Sequence, residues 1–310
     1  MKLHVTQLRL EAAGVISVTL RSPDGDRLPA WAAGAHVALT LPSGRVRQYS
    51  LCGAPDDPYS YTVAVLHVTD GRGGSREIHE NLRIGQILEV GEPQNNFELV
   101  EARQYLFIAG GIGITPILAM MDSLRAAGDP APFRLIYGGR TIASMALLDR
   151  LSGFDDVEVL PEDTAGVPNL AAAFAACPAG TRVYCCGPAP MLDAARVAAA
   201  EYPGLTLHTE RFSAGVREST DGAFEVELVR TGVTVTVSKD MSVLDAVLAV
   251  APDTPFSCTA GFCGTCETKV LAGEVDHRDD LLTNDEREAN ATMMICVSRS
   301  KTCGKLALDL

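Results

Sequence analysis

The spacing of apolar positions changes along the chain, and each change predicts a different kind of secondary structure. The N-terminal third has short runs that are rich in β-branched residues, which is typical of half-buried strands. Turn sequences such as Pro23-Asp24-Gly25 separate these runs. We therefore expect residues 1–102 to form an antiparallel β-barrel domain, with one helix over residues 75–82. Its predicted strands are residues 15–20, 36–41, 61–68 and 86–90.

From residue 103 onward, short apolar runs alternate with helical stretches. This rhythm predicts a parallel sheet that is covered by helices on both faces, so we expect an α/β domain over residues 103–214. The predicted strands are residues 105–109, 133–137, 157–160, 182–186 and 205–208. The predicted helices are residues 116–127, 142–151, 169–176 and 190–201.

A polar segment without apolar periodicity, residues 213–222, is typical of an interdomain linker. Alternating runs at residues 224–229 and 233–237 and a predicted helix at 242–249 follow it. We expect a third domain of the α+β class over residues 223–310. The chain is therefore predicted to contain three domains.

Four cysteines in this third domain have the spacing of metal ligands. Cys258, Cys263 and Cys266 follow a C-x4-C-x2-C pattern, and Cys296 comes later in the chain. This is the pattern of a plant-type 2Fe–2S cluster, a one-electron carrier. Structural zinc also uses four cysteines, but zinc sites usually pair two short C-x2–4-C units. The spacing favours iron and sulfide.

Charge and cysteine content narrow the classes of protein. The chain has 310 residues and a formal net charge of −13 at pH 7, which argues against a nucleic-acid partner. No signal peptide is expected, and no apolar run approaches membrane-spanning length. The nine cysteines are an odd number, so we expect a cytoplasmic protein without structural disulfides, and we expect it to be a monomer.

Two motifs in the first domain suit a flat, phosphorylated ligand. Arg47, Tyr49 and Ser50 place a cation, an aromatic face and a hydroxyl within four positions. The glycine-rich residues 71–75 run into the predicted helix, whose free N–H groups favour an anion. An edge strand with an exposed arginine explains the first motif equally simply, and a hairpin tip capped by Ser75 explains the second.

Two motifs in the second domain follow predicted strands. Residues 110–116, of sequence GGIGITP, connect a strand to a helix and allow close approach of a pyrophosphate. They lack the G-x-G-x-x-G fingerprint, and a plain strand-to-helix turn remains the alternative. Cys186-Gly187-Pro188 ends a later strand, at the edge where open α/β sheets bind ligands.

The order of these motifs along the whole chain resembles the phthalate dioxygenase reductase family. The vanillate demethylase reductases and the fused reductases of some haem-thiolate monooxygenases are similar. The resemblance implies an FMN-binding barrel, an NAD(P)-binding α/β domain and a plant-type ferredoxin domain with a β-grasp fold.

The resemblance also implies roles for individual residues. Arg47, Arg72, Gly73, Gly74 and Ser75 would hold the FMN phosphate, and Tyr49 would pack on the isoalloxazine. Gly111, Thr115 and Cys186 would surround the nicotinamide nucleotide, and Glu210 and Phe212 would lie close to the flavin. We expect Ser50, Cys186 and Glu210 to be the catalytic residues.

The expected chemistry follows from these parts. NAD(P)H gives two electrons as hydride, a 2Fe–2S cluster takes one at a time, and a flavin connects them. The implied function is an oxidoreductase that supplies a terminal oxygenase, either a Rieske non-haem iron enzyme or a haem-thiolate enzyme. A stand-alone flavin or ferric reductase and a redox sensor without turnover are the alternatives. NADH is the expected donor, but Arg140 after the second strand of the α/β domain keeps NADPH open.

Overall fold

The chain folds as two compact units, Met1–Phe212 and Ser213–Leu310. The structure is a computed structural model that describes residues 1–69, 73–128, 131–212, 222–239, 241–256, 259, 261, 263–279 and 281–310. The predicted linker lies outside the described residues, except for Gly222. Among the described helices, none combines the length and the apolar character that a membrane span requires.

The N-terminal part of the first unit is an antiparallel barrel. Its elements are β1 (Lys2–Ala12), β2 (Val15–Arg21), β3 (His36–Thr40), β4 (Val46–Ser50), β5 (Tyr61–Leu66), α1 (Gly74–Asn81) and β6 (Ile87–Val90). The strands pair in the order β4-β3-β6-β1-β2-β5. An antiparallel bridge between Leu51 and Val63 joins the end of β4 to β5, so the sheet closes on itself. Closure satisfies the backbone groups that an open edge would expose.

The barrel is filled by side chains from alternate strand positions. Leu3 and Val5 of β1 and Val37 and Leu39 of β3 are fully buried, because every second residue of a strand points to the same face. Ile78 of α1 packs into the same core. This contact fixes α1 against the barrel and thereby positions its N-terminus.

The rest of the first unit is a parallel sheet with helices. Its elements are β7 (Tyr105–Gly110), α2 (Ile114–Ala126), β8 (Phe133–Gly139), α3 (Leu148–Leu151), β9 (Val157–Pro161), α4 (Glu162–Ala165), α5 (Leu170–Ala175), β10 (Arg182–Cys186), α6 (Ala189–Ala200) and β11 (Thr206–Glu210). The strand order is β11-β10-β7-β8-β9, and all pairs are parallel. Every residue of β7 is buried, as expected for a central strand covered on both faces.

A shared core joins the barrel to the parallel sheet. Val15, Ala33 and Ala64 of the barrel pack in one cluster with residues of β7 and α2. The Tyr184 hydroxyl of β10 donates to the carbonyl of Glu98 at 2.9 Å and accepts from the Val100 amide at 2.8 Å. Both sheets thus belong to one compact unit, and our division at residues 102 and 103 stays a prediction.

The second unit is built around a mixed sheet. Its elements are β12 (Phe224–Leu228), β13 (Val233–Val237), α7 (Val243–Leu248), β14 (Glu267–Ala272), β15 (Val275–Asp276), α8 (Asn284–Ala289), β16 (Thr292–Met294), β17 (Arg299–Ser300) and β18 (Leu306–Leu308). The strand order is β13-β12-β18-β14-β16, with β12 parallel to β18, and β15 pairs with β17. Val243 and Val247 of α7 pack on this sheet. The predicted α+β class is confirmed.

One predicted helix is wrong. Residues 142–151 do not form a continuous helix: a 3-10 turn covers Ile142–Ser144, and α3 begins only at Leu148. Leu147 has a φ of 62°, which a right-handed helix does not allow. Met145, Ala146 and Leu147 are instead buried in the shared core, so tertiary packing overrides the local helical pattern.

We predict that Gly113→Ala destabilises the first unit by about 1–3 kcal/mol. A Cβ at Gly113 would lie 2.1 Å from the Cys186 carbonyl oxygen, and backbone there cannot move without separating α2 from β10. Gly204→Ala is the control, since its Cβ would meet the Ala179 Cβ at an ordinary 3.5 Å. Urea denaturation followed by the fluorescence of Trp31, the only tryptophan, measures the difference. Equal midpoints for the two variants would contradict the prediction.

Candidate functional site

The first candidate site lies where β4 meets the N-terminus of α1. A Cβ at Gly74 would lie 2.6 Å from Cγ and 2.7 Å from Nε of Arg47, so the arginine side chain lies directly over the helix start. Gly73 precedes α1 with a φ of 82°, a conformation that favours glycine. The Ser75 hydroxyl accepts from the Val68 amide at 3.1 Å. The structure thus brings Arg47 together with Gly73, Gly74 and Ser75.

Tyr49 and Ser50 extend this site along β4. Burial raises the pKa of Tyr49 to about 12, so its phenol stays neutral at physiological pH. The Ser50 hydroxyl is buried and has no hydrogen-bond partner among the described residues. A buried hydroxyl without a partner costs free energy, which a bound polar ligand would recover. Arg72, which was predicted to join this site, lies outside the described residues.

Sequence reasoning missed Arg45, which lies at the same helix start. Its Nε, Cζ and a terminal nitrogen lie within 3.6–3.8 Å of the Cβ position of Gly73. The guanidinium contacts a Glu77 carboxylate oxygen at 3.3 Å, and Glu77 accepts a hydrogen bond from the Ser43 amide at 2.9 Å. The motif RQYS begins two residues later, so only the fold reveals this contact.

The second candidate site lies at the carboxyl edge of the parallel sheet, between β7 and β10. The strand order reverses at this pair, and such switch points are where open α/β sheets bind ligands. A Cβ at Gly110 would lie 3.1 Å from the Gly187 Cα, so the two turns are in close contact. Thr115, in the first turn of α2, is buried, and its hydroxyl donates to the Ile112 carbonyl at 3.0 Å. Gly111, with a φ of 54°, starts the turn that precedes α2.

Cys186 and Glu210 face each other at this edge. The parallel register pairs them directly, and the Cys186 Sγ lies 3.9 Å from a Glu210 carboxylate oxygen. Burial raises the pKa of Glu210 to about 8 and raises the pKa of the Cys186 thiol well above its ordinary value. Burial thus favours the protonated, uncharged form of both groups. Phe212 follows them and is partly exposed.

Two further residues belong to this edge. The Met191 sulfur lies 2.8 Å from the Cβ positions of both Gly110 and Gly187, so its side chain fills the space between the two turns. Arg140 is exposed directly after β8, and its carbonyl accepts from the Asp163 amide at 3.2 Å. Met191 follows the Cys186-Gly187-Pro188 motif, and its spacing from Gly110 along the chain gives no sign of this contact.

The cysteines predicted as cluster ligands form the third candidate site. Cys263, Cys266 and Cys296 are buried, and Cys258 lies outside the described residues. The Ile295 amide donates to the Cys266 carbonyl at 3.4 Å, which brings the segment of Cys296 beside the loop of the other cysteines. The structure thus places the backbone of Cys266 beside the segment that carries Cys296.

Comparisons with known proteins support this arrangement. The family described as 2Fe-2S iron-sulfur cluster binding domain matches residues 226–301, and the oxidoreductase NAD-binding domain matches residues 107–158. The phthalate 4,5-dioxygenase oxygenase reductase subunit of Pseudomonas putida is 40% identical over 96% of this chain and 93% of its own length.

Solved structures show the same relationship. Phthalate dioxygenase reductase, described as a modular structure for electron transfer from pyridine nucleotides to [2Fe–2S], is 34% identical with a TM-score of 0.81, covering 100% of this chain and 98% of its own. An intact type IV self-sufficient cytochrome P450 monooxygenase is 44% identical with a TM-score of 0.82. The match covers 100% of this chain and 41% of that longer protein. The chain belongs to the phthalate dioxygenase reductase family of oxidoreductases. The predicted three-part fold is confirmed, as are the 2Fe–2S and NAD-binding modules.

We predict that Glu210 gives the first unit a pH-dependent stability. Its pKa is about 8 in the folded protein and about 4.3 in an unfolded chain. A carboxyl with a raised folded pKa stabilises the protein fully below the unfolded pKa, and this stabilisation is lost as pH rises through about 8. Glu210→Gln removes the titration, so the variant gains stability relative to wild type between about pH 5 and about pH 8.

Urea denaturation followed by Trp31 fluorescence at each pH measures this gain. Replacement of the exposed Glu201 by Gln is the control, and it should give a difference that does not change with pH. A pH-independent difference for Glu210→Gln would contradict the raised pKa.

Proposed function

We propose that the chain passes electrons from NAD(P)H through FMN to a 2Fe–2S cluster and on to a terminal oxygenase. The observation that carries the proposal is the combination of two sites in one polypeptide. One is a glycine-lined switch-point edge that suits a two-electron nicotinamide donor. The other is a cysteine loop that suits a one-electron iron–sulfur carrier. When bound, FMN supplies the conversion between paired and single electrons.

The residues around the start of α1 fit the FMN phosphate. Arg47 contributes a cation, and the amides of Gly74 and Ser75 lie in the first helical turn, where backbone N–H groups favour an anion. Tyr49 offers an aromatic face on the same strand. The unsatisfied Ser50 hydroxyl supports a polar edge of a flavin at this position, because such an edge would supply the missing hydrogen-bond partner.

The switch-point edge fits the nicotinamide end of the donor. Gly110, Gly111 and Gly187 leave room for a pyrophosphate close to the backbone, and the α2 N-terminus favours its charge. Cys186 and Glu210 hold their protons at Sγ and at the carboxyl group. They therefore favour a neutral edge, which adds no negative charge to repel the phosphates of the donor. Phe212 supplies an apolar surface after β11.

The finer assignments follow the same reasoning. NADH is the proposed donor, with NADPH as the alternative because Arg140 is exposed after β8, where an arginine can bind a 2′-phosphate. The relatives named as oxygenase reductases support a terminal oxygenase partner, of the Rieske type or the haem-thiolate type. The net charge of −13 favours a partner with a basic docking face. A cytoplasmic location and a monomeric state stay predictions.

We predict that Arg47→Ala weakens FMN binding by about tenfold to hundredfold, the loss expected for one charged hydrogen bond to phosphate. Titration of the flavin-free protein with FMN, followed by quenching of flavin fluorescence, measures the dissociation constant. Arg83→Ala is the control, because Arg83 is exposed after α1 and its removal changes the net charge equally. Equal affinity for both variants would exclude Arg47 from the phosphate site.

We predict that Cys263→Ser abolishes the visible absorption of the cluster yet leaves reduction of FMN by NADH largely unchanged. Stopped-flow spectroscopy separates the two steps, and cytochrome c reduction reports the one-electron output. Cys303→Ser is the control, since Cys303 is the exposed cysteine of the same unit. Full cytochrome c reduction by Cys263→Ser would show that the cluster is no obligatory relay. Zinc in place of iron and sulfide in the wild type would overturn the proposed function.

A further inference from the structure

A buried carboxylate, Asp279, lies in the second unit, between β15 and α8. Its side chain is completely inaccessible to solvent. Burial of a carboxylate costs free energy unless hydrogen bonds replace its hydration. None of the steps of the proposed function requires a carboxylate at this position, so its burial calls for a separate explanation.

The surroundings of Asp279 consist of hydrogen-bond donors. One carboxylate oxygen accepts from the amides of Leu281 at 3.2 Å and Leu282 at 2.8 Å, and the other accepts from the Ser298 hydroxyl at 3.4 Å. A terminal nitrogen of Arg287 and Nδ1 of His277 each lie 3.8 Å from the carboxylate. The two amides and the hydroxyl replace water around the carboxylate, and the Arg287 guanidinium adds a nearby positive charge.

The same residue contacts neighbours of the cysteines in two segments. A Cβ at Gly261, two residues before Cys263, would lie 3.0 Å from Cα and 3.4 Å from Cβ of Asp279, so Gly261 packs directly on this residue. A Cβ at Gly264 would lie 3.1 Å from a Leu281 methyl group, and Asp279 fixes the Leu281 amide. On the other side, Ser298 follows Cys296 by two residues.

We propose that Asp279 is a positioning residue for the 2Fe–2S cluster, which it serves in two ways. It ties the loop of Cys263 and Cys266 to the segment of Cys296, and its negative charge lowers the reduction potential of the cluster. Groups outside the ligand shell orient the ligands and tune the metal they hold. Because reduction adds an electron to the cluster, a buried carboxylate nearby opposes it, and burial weakens the screening of this repulsion. The inference rests on the proposed 2Fe–2S site.

The charge is tested with Asp279→Asn in the complete protein with its cluster. The amide oxygen still accepts hydrogen bonds, so the shape is kept while the charge is lost. We expect a midpoint potential above that of wild type in a redox titration followed by electron paramagnetic resonance. Asp285→Asn is the matched control, because it removes one charge from an exposed residue of α8, where solvent and salt screen it. Its potential should equal that of wild type.

The positioning role is tested with Asp279→Ala, which removes the acceptors. We expect loss of the cluster absorption under an iron chelator to be about tenfold faster than in wild type. Asp279→Asn should lose it at nearly the wild-type rate, so the conservative variant rescues the defect. If Asp279→Ala does not fold, the midpoint potential of Asp279→Asn still tests the effect of the Asp279 charge.

The outcomes separate this inference from the proposed function. An unchanged potential in Asp279→Asn would overturn the electrostatic role, and wild-type cluster retention in Asp279→Ala would overturn the positioning role. Either result counts against this inference only if the wild-type protein contains iron and inorganic sulfide. A wild type without them would instead overturn the proposed function itself.

Discussion

The first unit depends on how closely the turn after β7 approaches the end of β10. A Cβ at Gly113 would lie 2.1 Å from the Cys186 carbonyl oxygen, and one at Gly110 would lie 3.1 Å from the Gly187 Cα. Only glycine permits this approach without moving a backbone. The contact places the N-terminus of α2 beside Cys186, and the parallel register then places Glu210 beside Cys186. The close approach of two backbones therefore brings the residues proposed for phosphate binding and for hydride transfer to one sheet edge.

The buried carboxyl groups of the two units have different hydrogen-bond partners. Glu210 has only the Cys186 thiol as a hydrogen-bond partner among the described residues, and burial therefore raises its pKa to about 8. Asp279 is surrounded by amide, hydroxyl and guanidinium donors. The first arrangement favours a neutral carboxyl group, because few donors replace its hydration. The second supports a charge at a cluster whose potential depends on the charges around it.

Local patterns were sufficient to predict much of this structure from the sequence. The apolar run predicted as a strand at residues 105–109 is β7, and the cysteine spacing predicted the family of the second unit. The predicted helix at residues 142–151 failed because its central residues fill the core shared with the barrel. Helical periodicity and a buried irregular segment have similar patterns of apolar residues, and only tertiary contacts distinguish them. The roles assigned to the site residues stay predictions.

Contacts between distant parts of the chain account for the residues that the sequence did not reveal. Arg45 reaches the start of α1 because Glu77, on that helix, binds both its guanidinium and the Ser43 amide. Asp279 meets Ser298 across the second unit. Neither pair forms a motif, because no sequence pattern links the two residues of either pair. A cofactor site depends on such contacts. A phosphate requires nearby cations, and a cluster requires that separate segments hold their thiols together. The supporting residues of a cofactor site are therefore harder to predict than its ligands, although they decide how the ligands perform.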